Sequence, residues 1–134
     1  MTNKWQRAHM EAAGVYGNLS TATRLKVGCV IVKDKRIISI GYNGMPSGWD
    51  NNCEHEGKTK PEVLHAETNA IAKLARSSES GDGAELYCTH APCMDCAKLI
   101  YQSGISMVYF SESYKSNAGV EFLKQSGVGV IRIV

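Results

Sequence analysis

Two short groups of residues carry types that do chemistry: His65-Ala66-Glu67 and Pro92-Cys93-Met94-Asp95-Cys96. Cys93 and Cys96 are three apart, so in the first turn of a helix their sulfurs point the same way. The positive end of a helix dipole lowers thiol pKa values and favours the thiolates that a metal requires. One imidazole from His65 and two thiolates sum to neutrality around a zinc ion, with the fourth tetrahedral position left for water. Three protein ligands and one open position is the pattern of catalytic zinc, whereas structural zinc usually has four. Glu67 is next to a ligand but is not needed as one. Residues two apart on a regular helix face nearly opposite ways, so His65 and Glu67 meet at one site only if a helix begins between them. Glu67 then serves as the general acid and base beside the metal.

Taken singly, these signals are weak. A C-x-x-C pair is also a redox dithiol or a pair of helix-capping thiols, and His-x-Glu is common by chance. Their joint occurrence at two helix starts, with Pro92 ahead of the first cysteine, is much rarer. A thioredoxin-like reading needs the C-x-x-C on the first helix of a different strand order and leaves His65 and Glu67 unused.

The 134 residues fit one domain, 1–134, around one hydrophobic core. With 43% hydrophobic and 21% charged residues, disorder is a poor reading. A net charge of +2 gives no general case for long nucleic acid as partner, though a small anion needs only a few local cations. No apolar run approaches the roughly 20 residues of a membrane span, and Met1 to Arg7 lacks the apolar core of a secretory signal. Five cysteines, an odd number, argue against a disulfide framework. These features point to a cytoplasmic protein.

The elements that must position the site follow from periodicity. Residues 3–17 carry a rough helical spacing through Trp5, Met10, Ala13 and Tyr16. Val27–Val32 and Ile37–Tyr42 read as two strands joined by the charged turn Lys33-Asp34-Lys35-Arg36. Gly44–Lys60 reads as one long irregular loop, a length usually tied to function. After Pro61, residues Ala66, Ala70, Ile71, Leu74 and Ala75 make one helix face. Ala84–Thr89, Met107–Ser111 and Val128–Val134 read as strands, with helices from Pro92 to about Ser103 and over Asn117–Gln125 between them. The order implies α/β class: a mixed five-stranded sheet, its later strands parallel, with helices on both faces.

At these motifs the chain resembles the zinc-dependent cytidine and deoxycytidylate deaminase family. The resemblance rests on Val27-Gly28-Cys29-Val30-Ile31-Val32, Gly41-Tyr42-Asn43-Gly44-Met45-Pro46-Ser47-Gly48, His65-Ala66-Glu67-Thr68-Asn69-Ala70-Ile71 and Pro92-Cys93-Met94-Asp95-Cys96-Ala97-Lys98. The zinc pieces identify the superfamily, and Gly-Tyr-Asn-Gly-x-Pro-x-Gly points to the deoxycytidylate (dCMP) branch. The resemblance implies a cytidine-deaminase-like three-layer α/β/α sandwich and hydrolysis of dCMP to dUMP and ammonia, supplying dUMP for thymidylate. It implies one catalytic Zn2+ held by His65, Cys93 and Cys96, with Glu67 as the catalytic residue. It also implies a homo-oligomer, commonly a hexamer, activated by dCTP and inhibited by dTTP, with Mg2+ accompanying the triphosphate.

By position, the resemblance sets Asn43 against the deoxyribose or base, the Ala66 backbone and Thr89 along the base pocket, and Tyr114 at the nucleotide. Tyr42 and Gly44 fall in the segment associated with effector binding. Arg24 and Lys26 stand just before the first strand, where they can hold an anion or remain solvated charges; Arg24 is assigned to the substrate and Lys26 to the effector. Asn43 between glycines can instead serve a turn, and Tyr114 an ordinary partly buried aromatic. Cys29 and Cys88 read as core residues, His9 as structural, and His90 as packing against or supporting the zinc site. Some relatives bind a second, structural zinc in the segment before His-x-Glu. Here Cys53 and His55 alone fall short of a closed site, so a single zinc is expected. Competing functions are deamination of another base (cytidine, guanine or tRNA adenosine) and a non-catalytic zinc-stabilised nucleotide-binding regulator.

Overall fold

Cys29, Val30, Ile31 and Val32 are apolar at every position, the pattern of a strand covered on both faces, and the sheet is built around them. The computed structural model describes residues 2–133. Strands β1 (Gly28–Lys33) and β2 (Arg36–Tyr42) form an antiparallel hairpin. Its turn residues Asp34 and Lys35 have φ of 52° and 64°, the left-handed pair that matches the twist of a two-residue hairpin. The sheet continues from β1 to β5 (Glu85–His90), then β6 (Met107–Glu112) and β7 (Gly129–Arg132), in the order β2-β1-β5-β6-β7. β5 runs antiparallel to β1, and the last three strands are parallel. This is the mixed five-stranded α/β sheet expected; Val134 lies outside the described residues.

Strand alternation sorts the side chains into two cores. Cys29, Ile31, Leu86 and Cys88 pack with Ala66, Ala70 and Leu74 of α2 (Ala66–Ala75), Ala97 and Ile100 of α3 (Met94–Gln102) and Leu123 of α4 (Ala118–Gln125). Val30, Val32, Tyr87 and Tyr109 face the other way, against Ala13 of α1 (Lys4–Gly17). Helices therefore cover both faces of the sheet. α1 opens on a capping box, with Asn3 Oδ1 accepting the Gln6 N–H at 2.8 Å and Gln6 Oε1 accepting the Asn3 N–H at 3.0 Å. Among the described residues no helix is long and apolar enough to cross a membrane.

One difference from the sequence reading concerns Gly44–Lys60. That segment contains a small hairpin of its own, β3 (Glu54–His55) paired with β4 (Lys58–Thr59). Gly44 also pairs with Leu64, which closes the whole excursion at its base. Two-residue strands have no alternation to read, so the sequence shows only their turn residues.

Candidate metal centre and nucleotide cavity

α2 and α3 begin side by side at the carboxyl ends of the parallel strands, the usual position for ligands in an α/β sheet. His65 is the N-cap of α2 and Cys93 the N-cap of α3, both in extended conformation. An N-cap side chain normally accepts a hydrogen bond from the first turn, but neither residue makes one. Both side chains point instead to a shared spot. His65 Nδ1 stands 3.5 Å from Cys93 Sγ and 3.3 Å from Cys96 Sγ, and the three donor atoms all lie within 4.8 Å of one another. Ordinary Zn–N and Zn–S bonds at tetrahedral angles separate nitrogen from sulfur by about 3.6 Å. The donor set and its spacing fit zinc.

Cys96 shows why a cation is called for. Burial first, and then the nearby Glu67 charge, push its thiol pKa well up, outweighing the hydrogen bond with Thr68. The Thr68 hydroxyl lies 3.5 Å from Cys96 Sγ. The helix terminus expected to favour thiolates is thus overridden by burial at Cys96. A divalent cation at the shared spot reverses that balance, because coordination deprotonates a thiol outright.

Glu67 is the second residue of α2 and only 4% exposed, while still lining the cavity that opens beside His65 and Cys93. Burial raises its pKa to about 7, against the opposing pull of its own backbone N–H and of the Cys88 thiol. Cys88 and its cross-strand partner Cys29 are fully buried and joined by a thiol hydrogen bond. Both are core residues, as their surroundings in the sequence suggest, but Cys88 also touches the carboxyl group.

The cavity has a volume of about 670 Å3 and takes in Arg24, Asn43, Ala66 and Tyr114 along with the metal-centre residues. Asn43 is fixed by its own backbone neighbourhood: Oδ1 accepts the Val27 N–H at 2.8 Å and Nδ2 donates to the Leu25 carbonyl at 2.7 Å. Arg24 sits against the β3–β4 hairpin, Nη1 being 3.5 Å from Thr59 Oγ1. The hairpin is tied back through Glu54, whose carboxylate accepts the Thr23 and Arg24 N–H groups at 3.0 and 3.4 Å.

Of the other residues singled out in the sequence, some lie away from the cavity wall and some on it. Thr89 shares the strand face of Tyr87, and its hydroxyl accepts the Gly28 N–H at 3.1 Å and bonds His90 Nδ1 at 2.9 Å. His90, one residue on, does line the cavity; burial lowers its pKa and keeps the ring neutral, against the pull of Glu112. Tyr42 and Gly44 pack beside one another, with Lys73 5.4 Å above the Tyr42 ring, and Lys26 is an exposed charge. Cys53 is buried beside Thr21 and lines the cavity, whereas His55 is exposed on the hairpin. His9, on the buried face of α1, packs against Tyr87. The sequence reading missed Lys115, Glu112, Ser113 and Glu54, all on the cavity wall. The available signal was the polar run that follows β6, since a parallel strand delivers its next residues to the ligand crevice.

The description "Cytidine and deoxycytidylate deaminase zinc-binding region" belongs to the family whose pattern matches residues 3–112. A dCMP deaminase from the cyanophage S-TIM5, solved with dCMP and dUMP, superposes with a TM-score of 0.96 at 46% identity, over 99% of each chain. The ComE operon protein 2 of Bacillus subtilis is 39% identical, over 96% of this chain and 71% of its own. The deoxycytidylate deaminase of Saccharomyces cerevisiae is 34% identical over 97% of this chain, which spans 45% of the yeast protein.

Proposed function

The chain belongs to the cytidine and deoxycytidylate deaminase family, and on that premise we propose that it hydrolyses dCMP to dUMP and ammonia. The observation that carries this reading is the convergence of His65 Nδ1, Cys93 Sγ and Cys96 Sγ on one spot beside the buried Glu67. The 46% identity to a dCMP deaminase along the full chain supports the choice of substrate.

Zinc held by His65, Cys93 and Cys96 supplies Lewis-acid polarisation and makes water acidic enough to react at neutral pH. The residues of the chain do the rest. Burial raises the pKa of Glu67, and a zinc ion beside it would favour the carboxylate form that accepts a proton. The Glu67 carboxylate takes one proton from the attacking water and passes it to the ring nitrogen, then takes the remaining proton from the hydroxyl formed on the ring carbon and passes it to the amine, which departs as ammonia. Ala66, Asn43 and Tyr114 all line the cavity and are assigned to the base and sugar. Arg24, and Lys115 beside Tyr114, are the cations available to the 5′-phosphate. Thr89 acts indirectly, through His90.

Regulation is part of the same reading. dCTP as activator and dTTP as inhibitor, with Mg2+ on the triphosphate, are assigned to Tyr42, Gly44 and Lys26 in a homo-oligomer, with a hexamer favoured. The protein works in the cytoplasm. The experiment is ammonia release from dCMP, CMP, deoxycytidine, cytidine, guanine and a tRNA anticodon stem. dCMP should lead by kcat/KM; equal turnover of deoxycytidine removes the substrate assignment.

A further inference from the structure

The metal centre needs two helix starts held at a fixed separation, and the one bearing Cys93 is backed by another helix. Gly119, the second residue of α4, rests against it. A Cβ built on Gly119 would stand 2.3 Å from the Pro92 carbonyl oxygen and 2.7 Å from both the carbonyl carbon and oxygen of Cys93. These atoms are all backbone, so no side-chain rotation relieves the contact. Pro92 and Gly119 are both buried, which leaves the two segments no room to part without opening the core.

The same helix start controls a second part of the cavity. Glu112, Ser113, Tyr114 and Lys115 form a wall of the cavity, and only Ser116 and Asn117 separate them from α4. The Ser116 hydroxyl accepts the Ala118 N–H at 3.3 Å, joining that wall to the helix. One close contact therefore references both Cys93 and the Glu112–Lys115 segment to α4.

We propose that Gly119 is a positioning residue for the metal centre: its bare Cα seats α4 against Pro92 and Cys93 and so sets the Cys93 sulfur relative to Cys96 and His65. This rests on the zinc reading above. Helix propensity alone argues the other way, since alanine is favoured over glycine inside a helix. A substitution that should help the helix instead displaces a ligand-bearing turn.

The test compares Gly119→Ala with Gly14→Ala, whose added Cβ on α1 meets nothing within 4 Å. Zinc affinity is measured by chelator competition, and ligand geometry by the thiolate-to-cobalt absorption of the Co2+-substituted proteins. Gly119→Ala should bind zinc at least roughly tenfold more weakly, a step of about one decade in the binding constant, with shifted cobalt bands. Gly14→Ala should match wild type in both. Wild-type affinity and wild-type cobalt bands in Gly119→Ala overturn the proposal. Should Gly119→Ala fail to fold, amide exchange of the wild type with and without zinc decides. Zinc removal should deprotect residues 118–123 along with 94–97 and leave α1 unchanged; protection of 118–123 that ignores zinc overturns the proposal. Neither readout uses substrate, so a zinc-binding wild type that ignores dCMP defeats only the proposed reaction. A wild type that takes up no zinc defeats both.

Discussion

His65 and Glu67 are two residues apart, and the start of α2 falls between them. His65 is the extended N-cap, at φ −70° and ψ 157°, while Glu67 is the second helical residue. On a continuous helix the two would diverge. The break at the cap brings imidazole and carboxyl to one cavity, and it places the carboxyl where burial raises its pKa to about 7.

Purified protein should contain one zinc per chain. His65→Ala, Cys93→Ala and Cys96→Ala should each lose it, because two remaining ligands do not hold the ion. Elemental analysis of each variant checks this; two zinc ions per chain, or none in active protein, is the contrary result.

Arg24 is exposed enough to reach a phosphate and is steadied by the hairpin. Arg24→Ala should lower kcat/KM for dCMP by about 10- to 100-fold, the scale of one lost hydrogen bond to a charged group. Turnover of deoxycytidine should be unchanged. An equal loss on both substrates would mean that Arg24 supports the fold rather than the phosphate.

The Cys88 thiol, in the core, opposes the rise in the Glu67 pKa. Cys88→Ala should reduce kcat several-fold with KM for dCMP unchanged, and Cys88→Ser should recover part of the loss by restoring a donor. The size follows from a hydrogen-bond contribution of roughly 0.5–1.5 kcal/mol. Steady-state kinetics on both variants decide it; a serine variant no better than alanine assigns Cys88 to packing alone.

Much of this arrangement is legible in the sequence because it depends on local signals. Pro92 ahead of Cys93 and the apolar face from Ala66 to Ala75 mark the two helix starts, and the unbroken run Cys29–Val32 marks a strand covered on both sides. Features set by tertiary contact are not legible. Glu54-His55 and Lys58-Thr59 are too short to show a period, and only the positive φ of Glu56 and Gly57 marks their turn. Thr89 illustrates alternation: it falls on the strand face of Tyr87, while Cys88 and His90 take the side of α2 and the cavity. Lys115 reaches the cavity wall because β6 ends beside β5, where Glu112 pairs with His90. No spacing along the chain encodes that neighbour.

Gly44 tests effector control. An added Cβ there meets only the Tyr42 ring, at 3.8 and 3.9 Å, so Gly44→Val is compatible with the fold. The variant should blunt the responses to both dCTP and dTTP while deamination at saturating dCMP persists. Effector coupling is typically about 1–3 kcal/mol, which shifts dCMP half-saturation several-fold to about a hundredfold. Saturation curves with each triphosphate and with neither provide the check, and identical wild-type curves remove the effector assignment.

The most direct test of the zinc and Glu67 chemistry is the rate of dCMP conversion to dUMP by wild type and by Glu67→Gln, each shown to carry one zinc. The amide keeps the size of the carboxyl and cannot shuttle protons. Wild type should turn over dCMP, and the variant should fall by about 10²–10⁴-fold or more in kcat, the range of general acid–base catalysis. A zinc-loaded Glu67→Gln protein within about tenfold of wild type, below that range, would contradict the account.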